Sequence, residues 1–179
     1  DSYDNVEKYK KYIILRPQEV ANSPEVARRI GVIAMNTAIE VDIYGNVNST
    51  HICGTKIMNG IGGSGDYARN GYLTVFFTTS LAKGGAISSV VPFCSHVDHT
   101  EHDVDVIVSE RGVADLRGLS PKERALVIID KVANPTYQPL LLDYFKRACE
   151  ACGNSQTPHI MDEAFSFHDR FVKTGTMEK

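Results

Sequence analysis

Asn59-Gly60-Ile61-Gly62-Gly63-Ser64-Gly65-Asp66, continued by Tyr67-Ala68-Arg69-Asn70 and then by Tyr72-Leu73-Thr74-Val75-Phe76-Phe77, carries the reading of the fold. The first part places four glycines within six residues, which leaves a run of backbone without side-chain cover. Glycine reaches φ > 0 freely, so such a loop can turn several N–H groups toward one point. That suits an anion, either a phosphate or an oxyanion formed during acyl transfer. The same glycines also suit a tight turn built for packing, and the residues alone leave both readings open. Asp66 to Asn70 can begin a short helix, whose start would add positive potential. Tyr72 to Phe77 is β-branched and aromatic and reads as a strand. G-x-x-x-x-G-K-[ST] is absent, and the loop is not read as a standard nucleotide cradle.

Outward from this stretch, strands dominate the first two thirds of the chain and helices the last third. Asn22-Ser23-Pro24-Glu25 predicts a helix to about Ile30, with Asn22 as N-cap, proline in the first turn and Glu25 closing a capping box. Gly31 to Asn36 is an apolar run suited to a buried strand. From Ala38 to Ile43 the pattern alternates, with Ile39, Val41 and Ile43 on one face and Glu40 and Asp42 on the other. With the turn Tyr44-Gly45-Asn46 this predicts a β-hairpin over 38–50. Further strands are predicted over 86–91 and 104–108. Ser120-Pro121-Lys122-Glu123 repeats the capping signature and starts a helix to about Val132. Two more helices are expected over 136–151, stopped by Gly153, and over 161–172, stopped near Gly175. The whole of 1–179 reads as one α/β domain with short strands and a helical C-terminus.

Composition bounds the function. Hydrophobic content of 42% and charged content of 23% are ordinary for a soluble globular chain. The net charge of −3 with no basic run argues against nucleic acid as a partner. No apolar stretch has transmembrane length and no signal pattern opens the chain, so a cytoplasmic setting without a membrane partner is expected. Cys53, Cys94, Cys149 and Cys152 read as reduced thiols, with Cys149-x-x-Cys152 a lone motif in an alanine-rich helix.

Three further constellations could carry chemistry. In Ser80-Leu81-Ala82-Lys83-Gly84-Gly85-Ala86 a lysine beside two glycines can present its ammonium to a phosphate or carboxylate, or simply lie on the surface. His96-Val97-Asp98-His99-Thr100-Glu101-His102-Asp103 gathers three histidines and three carboxylates, but at no standard metal-ligand spacing. It reads better as a polar loop whose histidines bond backbone or line a cleft, and no metal is expected. Among Glu19, Glu25, Glu40, Glu101 and Glu110 no spacing marks a nucleophile or an acid/base pair. There is no G-x-S-x-G elbow.

Read together, residues 36–48, 59–70, 82–89 and 96–104 resemble the acetyl-CoA hydrolase/CoA-transferase family, particularly its succinyl-CoA:acetate CoA-transferase branch. The likeness runs from about Leu15 to Leu140 and looks like the C-terminal half of such an enzyme. It implies an open-sheet α/β fold of the NagB/RpiA/CoA-transferase type, with coenzyme A as substrate. It also implies ping-pong chemistry between small acyl-CoA thioesters and carboxylates through an enzyme glutamyl-CoA thioester. Carried over residue by residue, the Gly63 N–H becomes an oxyanion donor that also touches the cofactor. Asn59 and Lys83 match positions that contact CoA, and Asn22 matches an asparagine that orients the reacting carboxylates. The family's nucleophilic glutamate lies upstream of the matching region, so none of the glutamates here is assigned that role. The expected partners are an N-terminal half of the same enzyme and a second copy in a homodimer. This chain alone is expected to be inactive. Acyl-CoA hydrolysis and a non-catalytic CoA-binding module stand as the alternatives.

Overall fold

The computed structural model describes residues 3–178. In chain order its elements begin with α1 (Val6–Tyr9), α2 (Gln18–Ala21), α3 (Pro24–Ile30), β1 (Ile33–Thr37), β2 (Glu40–Asp42), β3 (Val47–Asn48), β4 (His51–Ile52), β5 (Lys56–Ile57) and α4 (Ser64–Ala68). There follow β6 (Leu73–Phe77), β7 (Leu81–Ala82), β8 (Ile87–Ser88), β9 (Val90–Val91), β10 (Val106–Ser109) and β11 (Gly112–Asp115). The chain closes with α5 (Pro121–Lys131), α6 (Gln138–Cys152) and α7 (Ser166–Thr174).

The main sheet runs β1-β6-β10-β11, parallel across its first three strands and antiparallel at the last. A second sheet runs β3-β2-β9 and holds the expected hairpin. Its turn closes because the Asp42 carboxylate accepts the N–H groups of Tyr44, Gly45 and Asn46, each at 3.0 Å. Burial pushes the Asp42 carboxyl up to about 6, against the pull of these bonds.

The C-terminal helices form where their signals stand. Ser120 and Glu123 close the capping box of α5. In α6, Leu141, Tyr144, Phe145 and Ala148 recur at helical spacing and enter the core with Ile107, Leu116 and Ile128. Each large side chain so buried stabilises the fold by about 1.5–3 kcal/mol before the entropy of ordering it is counted. Gly153 and Gly175 stop α6 and α7. No described helix is long and apolar enough to cross a membrane.

Four expectations are corrected. The run 31–36 is buried on one side only: β1 is an edge strand of the main sheet in which Ala34 enters the core while Ile33 and Met35 are 53% and 69% exposed. The strand over 86–91 breaks in two, because the Ser88 hydroxyl bonds the Val90 backbone. The broken pieces join different sheets, β8 against β7 and β9 against β2. The last helix starts at Ser166 and not near 161, the preceding residues forming turns. Finally, Asn22 is not the cap of α3. That position belongs to Ser23, Asn22 closes α2, and Glu25 pairs with Arg29 at 2.8 Å instead of completing a capping box. The β4–β5 hairpin and β11 carry no sequence signal strong enough to predict them.

Candidate active site

The glycine loop joins β5 to α4, and Gly63 is the residue from which that helix starts. Its neighbour Gly62 has φ +59, a left-handed conformation that favours glycine, and its missing Cβ faces open space. Gly63 is glycine for a different reason. Its backbone is ordinary (φ −89°), but a Cβ there would lie 2.0 Å from the Asn22 side-chain nitrogen. The Asn22 amide therefore lies against the Gly63 backbone. Among the described residues the Gly63 N–H has no hydrogen-bond acceptor.

Asn22 reaches this place because α2 ends there and α4 holds it. Its Oδ1 accepts the Tyr67 hydroxyl at 3.1 Å, and Tyr67 also bonds the Ala21 carbonyl at 2.8 Å. Its Nδ2 stands 3.5 Å from Asp66 Oδ2. At the other end of the loop, Asn59 donates to the Ser49 carbonyl at 2.8 Å. Asn59 lines an open cleft of about 280 Å³ with Met35, Asn36, Thr37, Ser49 and Ser64. The structure thus brings Asn22 and Gly63 together and puts Asn59 on the wall of the same loop.

Lys83 stands apart, in a neighbouring chamber of about 370 Å³ lined mainly by apolar groups such as Ile39, Ile52, Met58, Ile87 and Met177. The two spaces are contiguous along the chain: Thr37 and Asn59 face the cleft, while Ala38 and Met58 face the chamber. Lys83 has φ +47 and Cys53, across the same chamber, has φ +48. Non-glycine residues in this region carry strain, and strain of this kind gathers at functional loops. The Lys83 ammonium lies 4.9 Å from the centre of the Phe171 ring and makes no ion pair among the described residues.

Glu40 also lines the chamber, a residue for which the spacing gave no role. It is 5% exposed, and it accepts bonds from His168 Nε2 at 2.8 Å, Asn48 at 3.0 Å, and Ser95 N and Oγ at 2.7 and 2.6 Å. Burial raises its carboxyl, but the bond and charge of His168 with the Ser95 and Asn48 bonds outweigh that and hold it low. The histidine-rich loop disperses its rings. His96 stacks on His51, its ring centre 3.9 Å away, and His102 points outward beside Glu101. His99 turns inward, 3% exposed. Among the described residues no three His, Cys, Asp or Glu side chains gather to hold a metal ion. All four cysteines are free thiols, and Cys152 donates to the His159 carbonyl.

Comparison with known proteins gives this geometry its context. The family described as the acetyl-CoA hydrolase/transferase C-terminal domain matches residues 1–145. A succinyl-CoA:acetate CoA-transferase of Clostridium kluyveri is 62% identical over 170 residues, covering 95% of this chain and 31% of that protein. An acetyl-CoA hydrolase of Candida albicans is 49% identical over 183 residues, covering 98% of this chain and 35% of that protein. The crystal structure of RipA from Yersinia pestis superposes with a TM-score of 0.67 at 31% identity, over 74% of this chain and 31% of that one. The chain spans about a third of the length of the curated relatives it matches.

Proposed function

Because the chain belongs to the acetyl-CoA hydrolase/transferase C-terminal domain family, we propose that it supplies the CoA-binding and oxyanion part of an enzyme that moves CoA between small acyl-CoA thioesters and carboxylates. The succinyl-CoA/acetate pair is the substrate class, on the strength of the 62% identical relative. A glutamate outside this segment attacks the thioester carbonyl, and the tetrahedral intermediate expels CoA as its thiolate. The thiolate then takes the glutamyl carbonyl, releasing the first carboxylate and leaving a glutamyl-CoA thioester. The second carboxylate reverses these steps. Every step places negative charge on a carbonyl oxygen, which an unengaged N–H stabilises without reorganisation.

The observation that carries this reading is the Gly63 N–H, without an acceptor among the described residues and with the Asn22 amide held against its Cα. In this reading CoA runs from the Lys83 chamber, whose apolar wall suits its pantetheine arm, along Ala38 and Met58 to the glycine loop. The Lys83 ammonium then meets the cofactor's negative charge. The exposed edge strand β1, with Ile33 and Met35, and the exposed Met58 and Ile61 beside it support a cover by the remaining two thirds of the enzyme.

The test is Gly63→Val in the full-length enzyme. The added side chain displaces Asn22 and occupies the approach to the N–H, so CoA transfer falls about 10²–10³-fold. Unaltered turnover with a confirmed fold rejects the assignment. The 49% identical acetyl-CoA hydrolase favours a second reading, in which water takes the acyl group. Rates with and without added acetate separate the two.

A further inference from the structure

The histidine-rich loop finds no use in the reading above, yet it holds both ends of the glycine loop. At one end His99 Nε2 lies 3.0 Å from Ser64 Oγ, and the Ser64 hydroxyl donates to the Ile61 carbonyl at 2.8 Å. With its proton spent on Ile61, Ser64 can only accept from His99, so the imidazole carries its proton on Nε2. Burial also keeps His99 from protonating, against the opposing pull of Asp98 and Asp103. At the other end the Asp98 carboxylate takes the Ser49 N–H at 2.7 Å and the Thr50 hydroxyl at 2.8 Å. The carbonyls of those residues accept from the Asn59 side chain and the Met58 N–H, at 2.8 and 2.7 Å.

The anchors are themselves fixed. His99 pairs with Val47 of β3 through backbone bonds of 2.8 and 3.1 Å, and its ring packs on Phe76 of β6, which is fully buried. A Cβ on Gly65 would stand 3.9 Å from His99 Cε1, so the ring supports the loop from beneath. The glycines alone would leave this backbone loose. Two consecutive residues bridged to β3 remove that freedom from both sides.

We propose that Asp98 and His99 are positioning residues for the CoA-transfer reaction, aiming the Gly63 N–H by way of Ser49–Asn59 on one side and Ser64–Ile61 on the other. This rests on the function assigned to Gly63 above. Neither side chain touches the reacting atoms; their effect passes through loop geometry, where a displacement near 1 Å costs about 10²-fold in rate.

The experiment uses the full-length enzyme with kcat and KM for the acyl-CoA measured separately. His99→Phe keeps the ring and loses the donor; kcat is expected to fall about 10–100-fold with KM nearly unchanged. His99→Gln restores an N–H near the Nε2 position and should recover most of the loss. Ser64→Ala should match His99→Phe, and the double variant should lose no more than either alone. Should His99→Phe fold poorly, Ser64→Ala carries the test, since that hydroxyl lies at the loop surface. Multiplying losses, or wild-type kcat in Ser64→Ala, overturns the proposal. If Gly63→Val abolishes transfer while Ser64→Ala and His99→Phe turn over normally, only the positioning role fails. If Gly63→Val is itself active, the underlying function fails first.

Discussion

The glycine-loop cleft and the Lys83 chamber lie side by side but are built by opposite means. The cleft is glycine-rich backbone held from outside: Asn22 and the consecutive pair Asp98 and His99, on two other parts of the chain, hold it by hydrogen bonds. The chamber is mainly apolar, with one buried carboxylate in its wall that accepts four hydrogen bonds. Under the proposed function, geometry at the first must be right to a fraction of an ångström, because an oxyanion donor works by aim. The second needs only to exclude water and present a charge. Under the proposed function, transition-state work would fall to the cleft and ground-state binding to the chamber.

The largest expected effect tests the chamber wall. Glu40→Ala strips the partner from His168, which is itself buried, and should cost about 3–5 kcal/mol of stability by urea denaturation. A loss below about 1 kcal/mol means the pair is not what joins α7 to the hairpin. Next, Gly63→Ala should lower kcat by pushing the Asn22 amide aside, since the clash is with the end of a movable side chain. Combined with Asn22→Ala it should add little to the loss from Asn22→Ala alone. Full additivity breaks the link between the two residues. Lys83→Met should raise KM for acyl-CoA about 10-fold and leave kcat nearly intact. A fall in kcat with constant KM would erase the division of labour drawn above.

The smallest effect concerns pH. Burial lowers the His99 pKa below its usual 6.5, so the unfolded chain takes up a proton that the folded chain refuses. Its contribution makes stability fall as pH drops through and below about 6.5. That slope should be missing in His99→Gln when denaturation midpoints are compared between pH 7.5 and 5.5. An identical slope in both proteins locates the acid sensitivity elsewhere.

Much of the fold was legible because its signals are local. The capping box at Ser120 and Glu123, the stops at Gly153 and Gly175, and the aromatic run of β6 act within a few residues of themselves. Asn22 shows where local reading stops. Asn22 and Ser23 are equally good caps, and only the approach of α4 decides that Ser23 takes the helix while Asn22 faces Gly63. Glu40 is a second case: alternation sets it on the polar side of a hairpin, but α7 covers that side with His168, 128 residues later.

By itself, then, the sequence determined the class of the fold, the glycine-rich loop, the lysine beside its glycines and the family to which they belong. Those depend on residue type and short spacing, which the chain states directly. The tertiary structure decided that Gly63 is glycine because Asn22 lies on it, that Lys83 belongs to a separate chamber, and that Asp98 and His99 grip the loop from beneath. These are contacts between segments 35 to 48 residues apart, set by how those segments pack together in the fold. No local pattern encodes them.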